Sequence, residues 1–296
     1  MMELCHAKGS TYYFQSPSKV GLVEIGEGRA VLIDSGSDRD AAKRIRRTLE
    51  ERGLSLTAIY NTHSHGDHIG GNKYLQDNTG CRIYAPPIDC CFTNHPVLEP
   101  SLLFSATPPA PLRHKFFMAG ESKAELLTAT ALPAGFSVVD LGGHSPSMMG
   151  IRTPDDVLFV GDAVASAETL AKYRVTYTYD VARYLDTLAR LRGVQAALFI
   201  PAHAAPTEDL SELLALNEAA VLGVGNDIVE LCRTPMTHEM LLKALFDRYG
   251  LTLTFGQFAL VGATLRAYLT WLLDTGCLTF EVADNYLYYK AVKESL

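Results

Sequence analysis

The stretch Thr62-His63-Ser64-His65-Gly66-Asp67-His68 sets three imidazoles and a carboxylate within six residues, directly after an apolar run that reads as a strand. Neutral imidazole and carboxylate are the nitrogen and oxygen donors that zinc, iron and manganese accept. Without a cation, groups this crowded would repel one another or lose hydration with no return. The pattern predicts a metal site at a strand end and demands a fold that delivers further ligands to it.

Three more polar positions sit where predicted strands stop. Gly142-Gly143-His144-Ser145-Pro146 follows 136–141, Gly161-Asp162 follows 157–160, and Pro201-Ala202-His203 follows 196–200. Strand ends suit such a site because rigid elements must hold its ligands. His63, His65, Asp67, His68, His144, Asp162 and His203 together suffice for two ions sharing a bridging carboxylate. His6, His95, His114 and His238 have no such setting and read as core or surface residues.

Around these motifs the elements alternate. A hairpin is expected at 20–25 and 29–34 across a glycine-rich turn, then a helix over 38–52 capped by Ser37 or Asp38, with Ala41, Ile45 and Leu49 on one face. Strands at 56–60 and 81–85 and a helix at 180–192 complete an α/β layout. Between 86 and 135 the chain is dense in proline (Pro86, Pro87, Pro96, Pro100, Pro108, Pro109, Pro111), which predicts an irregular lid or binding loop. From 211 the pattern turns helical, with helices at 211–232, 238–249 and 256–275, and a hairpin at 277–281 and 286–290. That is a winged-helix order, so two domains are expected, 1–210 and a smaller 211–296.

The chain of 296 residues can bury a large core. Its net charge of −7 argues against a nucleic-acid partner, since phosphate neutralisation needs a basic surface. No apolar run approaches the about 20 residues of a membrane span. The opening residues lack the apolar core of a signal peptide, and the six cysteines form no Cys-x-x-Cys, which predicts a reducing, cytoplasmic setting.

The ordered set Leu32-Ile33-Asp34-Ser35-Gly36, Thr62 to His68, Gly143-His144-Ser145-Pro146, Gly161-Asp162 and Ala202-His203 resembles the metallo-β-lactamase superfamily, in the broad branch that includes glyoxalase II. The resemblance implies an αββα sandwich with two divalent metals at one edge, zinc first, with iron or manganese compatible. It implies that His63, His65 and His144 hold one ion, that Asp67, His68 and His203 hold the other, and that Asp162 bridges them. Asp34 would orient the histidine loop, and Asp67 could also take a proton. Such a centre lowers the pKa of water from 15.7 towards roughly 7, and the resulting hydroxide attacks an ester, thioester, amide or phosphodiester.

Residual positive charge favours a small anionic substrate, and Arg113-His114-Lys115 is the basic cluster placed to meet its acid group. Two other activities occur on the implied fold. One is a mononuclear-iron persulfide dioxygenase that uses only His63, His144 and Asp162; the other is a phosphodiesterase or ribonuclease. The run after His144 lacks the second histidine of glyoxalase II, and 238–275 offers only Lys243, Arg248 and Arg266 as basic residues. The terminal domain is expected to pack over the site or to make a homodimer.

Overall fold

The computed structural model describes residues 2–293 and 295–296. Seven strands form the first sheet in sequence order: β1 (Glu3–Lys8), β2 (Thr11–Gln15), β3 (Val20–Glu24), β4 (Arg29–Ile33), β5 (Ser55–Tyr60), β6 (Arg82–Ala85) and β7 (Ala124–Leu126). The first four make an antiparallel meander, and β4 to β7 run parallel. The second sheet has the order β11-β10-β9-β8, from β8 (Ser137–Asp140), β9 (Met149–Arg152), β10 (Val157–Ala165) and β11 (Leu198–His203).

The two sheets face each other across Val31, Ile33 and Tyr60 from the first and Ile151, Phe159 and Ile200 from the second. On the far side of the first sheet, Leu32, Ile59 and Ile83 meet Ala42, Ile45 and Leu49 of helix α1 (Arg39–Glu51). Strands covered on both faces read as continuous apolar runs, which is why β4 is Ala-Val-Leu-Ile after its first residue. Asp38 caps α1 by accepting from the Asp40 and Ala41 amides. The buried alanine of that helix is Ala42, one position beyond the expected Ala41.

Short helices α2 (Gly66–Ile69) and α3 (Asn72–Thr79) follow the histidine motif. The proline-dense segment is more regular than expected: it forms α4 (Pro87–Asn94) and α5 (Leu98–Phe104) and supplies edge strand β7. Proline lacks only an N–H that is unpaired anyway in a first helical turn, so Pro87 starts α4 without penalty. Leu103, Leu112 and Phe117 of this insert are buried against Ala259 of the terminal helices.

Helices α6 (Ala167–Tyr173) and α7 (Val181–Leu191) link β10 to β11. The chain then runs through α8 (Ser211–Leu231), α9 (His238–Tyr249), α10 (Phe255–Asp274) and the hairpin β12 (Leu278–Ala283) and β13 (Tyr286–Ala291). Leu158 and Val160 of β10, Leu188 of α7, Ile228 of α8, Leu245 of α9 and Leu265 of α10 belong to one buried cluster. This outer layer completes an αββα sandwich. Among the described residues, no helix is long and apolar enough to cross a membrane.

Candidate metal centre

The parallel strands β4, β5 and β6 end level with one another, and the chain leaves each at the same sheet edge. Asp34, directly after β4, has φ +61, a conformation aspartate tolerates better than most residues. Its Oδ1 accepts from the Thr62 amide at 2.8 Å and its Oδ2 from the Thr62 hydroxyl at 2.8 Å. A second buried carboxylate, Asp89 of α4, accepts from the amide and hydroxyl of Ser64 and from the amide and hydroxyl of Ser147. Asp89 therefore ties the loop of His63 and His65 to the loop of His144. At Gly66 a Cβ would stand 2.9 Å from the Lys115 carbonyl and 3.0 Å from that of Phe116, so the insert presses directly on the motif.

Asp162 reaches the site by a different route from the expected one. β10 does not stop at Val160 but continues to Ala165, and Asp162 lies inside it. Its pairing with β11 shifts register around Gly161, which adopts φ +52. Such an irregularity bends a strand and re-aims the side chain beside it. His203 is the last residue of β11 rather than three residues beyond a strand.

All seven residues expected as ligands converge. The donor atoms of His63, His65, His144 and Asp162 lie within 4.8 Å of one another, as do those of Asp67, His68 and His203. In the first group, His65 Nδ1 is 3.0 Å from both His63 Nε2 and His144 Nε2. In the second, Asp67 Oδ2 is 3.2 Å from His203 Nε2 and 3.7 Å from His68 Nε2. Asp162 spans both: Oδ2 is 3.4 Å from His144 Nε2 and 3.3 Å from His203 Nε2, and Oδ1 is 3.1 Å from His68 Nε2.

Four of the five imidazoles also have their other nitrogen hydrogen-bonded. His63 Nδ1 lies 3.0 Å from the Thr62 hydroxyl, His68 Nδ1 2.8 Å from Asp34, His144 Nδ1 3.1 Å from the Tyr177 carbonyl and His203 Nδ1 2.8 Å from the Pro17 carbonyl. His65 Nε2 lies 3.5 Å from the Glu99 carboxyl. Carbonyl oxygens only accept, so the bonded Nδ1 of His144 and His203 carries the hydrogen, and Nε2 is the nitrogen each ring turns into the cluster. A strap before β3 reinforces the second group. The Ser18 hydroxyl is 3.1 Å from His68 Nε2, and buried Lys19 donates to the Ala204 carbonyl at 2.7 Å.

The electrostatics follow from burial and crowding. Burial, joined by neighbouring imidazoles, pushes the His63 pKa well down; it also takes His65 down to about 4 and His144 to about 3. His68 is buried too, yet the carboxylates of Asp162, Asp67 and Asp34 outweigh that and hold its pKa well above the usual value. Asp162 raises His203 to about 10. Burial opposes ionisation of Asp67, but His68 and His203 bring it down to about 2. Without a metal, the carboxylates of Asp162, Asp67 and Asp34 thus favour protonation of the two imidazoles they surround, His68 and His203. Asp162 Oδ1 is fully buried and receives no hydrogen bond of acceptable geometry. Nitrogen and oxygen donors without thiolate, two carboxylates and an orphaned oxygen fit divalent cations.

Asp89, Glu99, Tyr177 and the strap 17–19 were not legible as site residues. Asp89 and Glu99 lie in the insert, where nothing in their spacing marks them. In the opposite direction, Lys115 is engaged elsewhere: its ammonium pairs with Asp38 at 2.9 Å. His6 and His238 bond to the Gly9 and Gly262 carbonyls, away from the cluster.

Fold and site together define an αββα protein in which elements of both sheets bring histidines and aspartates into one cluster. The family model of the metallo-β-lactamase superfamily matches residues 14–203, and the chain belongs to that superfamily. A hydroxyacylglutathione hydrolase of Hyphomonas neptunium is 32% identical over 142 residues, 48% of this chain and 45% of that protein. An atrochrysone carboxyl ACP thioesterase of Aspergillus aculeatus is 26% identical over 201 residues, 66% of this chain and 53% of that protein. The chain spans about half the length, or less, of the curated relatives it matches. Among solved structures, a β-lactamase domain protein from Burkholderia ambifaria has a TM-score of 0.74 at 20% identity, covering 98% of this chain and 94% of that one. A metallo-β-lactamase family protein from Thermus thermophilus has a TM-score of 0.69 at 20% identity, covering 98% of both chains. These two likenesses are of fold.

Proposed function

We propose that the protein is a hydrolase that binds two divalent ions, zinc first, with iron and manganese also suited, and cleaves a small anionic ester or thioester. The observation that carries this reading is the support of four of the five imidazoles, His63, His68, His144 and His203, each with one nitrogen hydrogen-bonded from behind and the other turned into the cluster. Second partners of this kind fix ring orientation and raise ligand basicity.

His63, His65 and His144 would hold one ion, Asp67, His68 and His203 the other, and Asp162 would bridge them. Metal bound there would supply a hydroxide nucleophile near neutral pH and stabilise the developing oxyanion. Asp34 would keep His68 aimed and fix Thr62, while Asp67 would take up a proton as the reaction proceeds. The names of the two relatives, a hydroxyacylglutathione hydrolase and an ACP thioesterase, favour a thioester over other acyl compounds. In this reading 1–210 carries the chemistry, and 211–296, in winged-helix-like order, roofs the site through α10. All six cysteines are free, which fits a reducing, cytoplasmic compartment.

The test is metal analysis of protein purified without chelator, followed by a panel of thioesters, esters, phosphodiesters and persulfides. Two ions per chain with thioester or ester turnover is the expected result. One iron per chain with oxygen uptake on persulfides would overturn the reading, and so would turnover confined to phosphodiesters.

A further inference from the structure

Helix α5 faces two things at once. Glu99, on its first turn, looks at His65. Leu102 and Leu103, three and four residues on, line a cavity of about 200 Å³. Residues at those spacings share a helix face one turn of about 5.4 Å apart, so the cavity adjoins the histidine group along one helix. Tyr177 joins them a second time: its ring centroid lies 5.1 Å from that of His65 and 5.8 Å from that of His144, and the same residue lines the cavity.

Helix α10 contributes Ala263 and Arg266 to the lining. Leu102, Leu103 and Ala263 give the lining its aliphatic part, and Ser105, Tyr177, Thr178 and Tyr179 complete it with hydroxyl-bearing side chains. Arg266 is exposed, its Nη1 donates to the Gly262 carbonyl at 3.2 Å, and among the described residues no carboxylate oxygen pairs with it within 4.0 Å. Its charge reaches Glu239, where it adds a little to the lowering of that carboxyl's pKa. A guanidinium with one carbonyl partner and no carboxylate salt bridge, in a chain of net charge −7, is a ready receptor for a carboxylate.

We propose that this cavity holds the acyl chain of the substrate and that Arg266 receives a carboxylate at the chain's far end. The substrate class is then a monothioester or monoester of a dicarboxylic acid. The inference rests on the hydrolase reading and specifies its substrate. Water adds to the acyl carbon, the bond to sulfur or oxygen breaks, and the leaving group departs as the thiol or alcohol with a proton, giving the free dicarboxylic acid.

The test compares acetyl, hexanoyl and adipoyl thioesters of one small thiol, with adipate binding measured separately by calorimetry. Wild type is expected to prefer adipoyl over hexanoyl in kcat/KM. Arg266→Ala should lower that ratio at least tenfold, with partial rescue in Arg266→Lys, and should weaken adipate binding by a similar factor. Ala263→Phe, which fills the cavity, should raise KM for the two longer acyl chains more than for acetyl. Failure of wild type to bind adipate would overturn the proposal, as would an adipoyl-to-hexanoyl ratio that Arg266→Ala leaves intact. If no acyl substrate is cleaved but adipate binds through Arg266, the hydrolase reading fails and the acid-binding cavity stands.

Discussion

The Ser147 hydroxyl donates to the Asp89 carboxylate at 2.6 Å and so fastens an insert helix to the loop that carries His144. The other oxygen of Asp89 takes the amide and hydroxyl of Ser64 at 3.0 and 2.9 Å, inside the histidine motif. Removing the carboxylate strands four donors in a buried place. Hydrogen bonds to charged groups contribute roughly 1.5–3 kcal/mol each, and their effects overlap. Asp89→Ala is expected to lose about 3–5 kcal/mol of stability in denaturant titration, comparable to breaking other buried charged networks. Metal affinity should fall with it, because the two loops lose their tie.

Burial and the neighbouring Asp89 push the Glu99 carboxyl up to about 8. In the unfolded chain it ionises at its ordinary value of 4.5. Between those values the folded state binds the extra proton, so stability falls as pH rises through the window, by up to about 1.4 kcal/mol per unit. In metal-free protein, Glu99→Gln should flatten that slope between about pH 5 and about pH 8. A slope unchanged in the variant would assign the pH dependence to another group.

His68 and His203 are held protonated by Asp162, Asp67 and Asp34, with His203 at about 10. A metal ligand must offer a lone pair, so binding divalent ions at neutral pH should expel these protons. Calorimetric titration in buffers of different ionisation enthalpy is expected to report release of about two protons from the imidazoles when both groups are filled, and about one more where bound water ionises to hydroxide. Affinity should weaken as pH falls, because protons then compete more strongly for the same nitrogens.

Gly66 has no room for a side chain, since a Cβ would meet the Lys115 carbonyl at 2.9 Å. Backbone yields less readily than the tip of a side chain. Gly66→Ala should destabilise the protein by about 1–3 kcal/mol, the usual range for overpacking. Protease cleavage within 110–120 should quicken if the insert is pushed off, which limited proteolysis would reveal.

Much of the site was legible in the chain because its signals are local. Three histidines and an aspartate in six residues, a strand before them and turn glycines beside His144 and Asp162 need no knowledge of distant contacts. The same holds for the alternation of apolar runs that specifies an α/β sandwich, since strands covered on both faces announce themselves as continuous apolar stretches. What tertiary structure alone decided is how those candidate ligands are aimed and supported. Asp162 is turned by a bulge whose register depends on β11, Asp89 and Glu99 arrive from an insert whose prolines suggested irregular chain, and Lys115 is taken by Asp38, 77 residues away in sequence. Support from behind is a relation between segments distant in sequence, and residue spacing carries no trace of it until the two sheets close and bring those segments into contact.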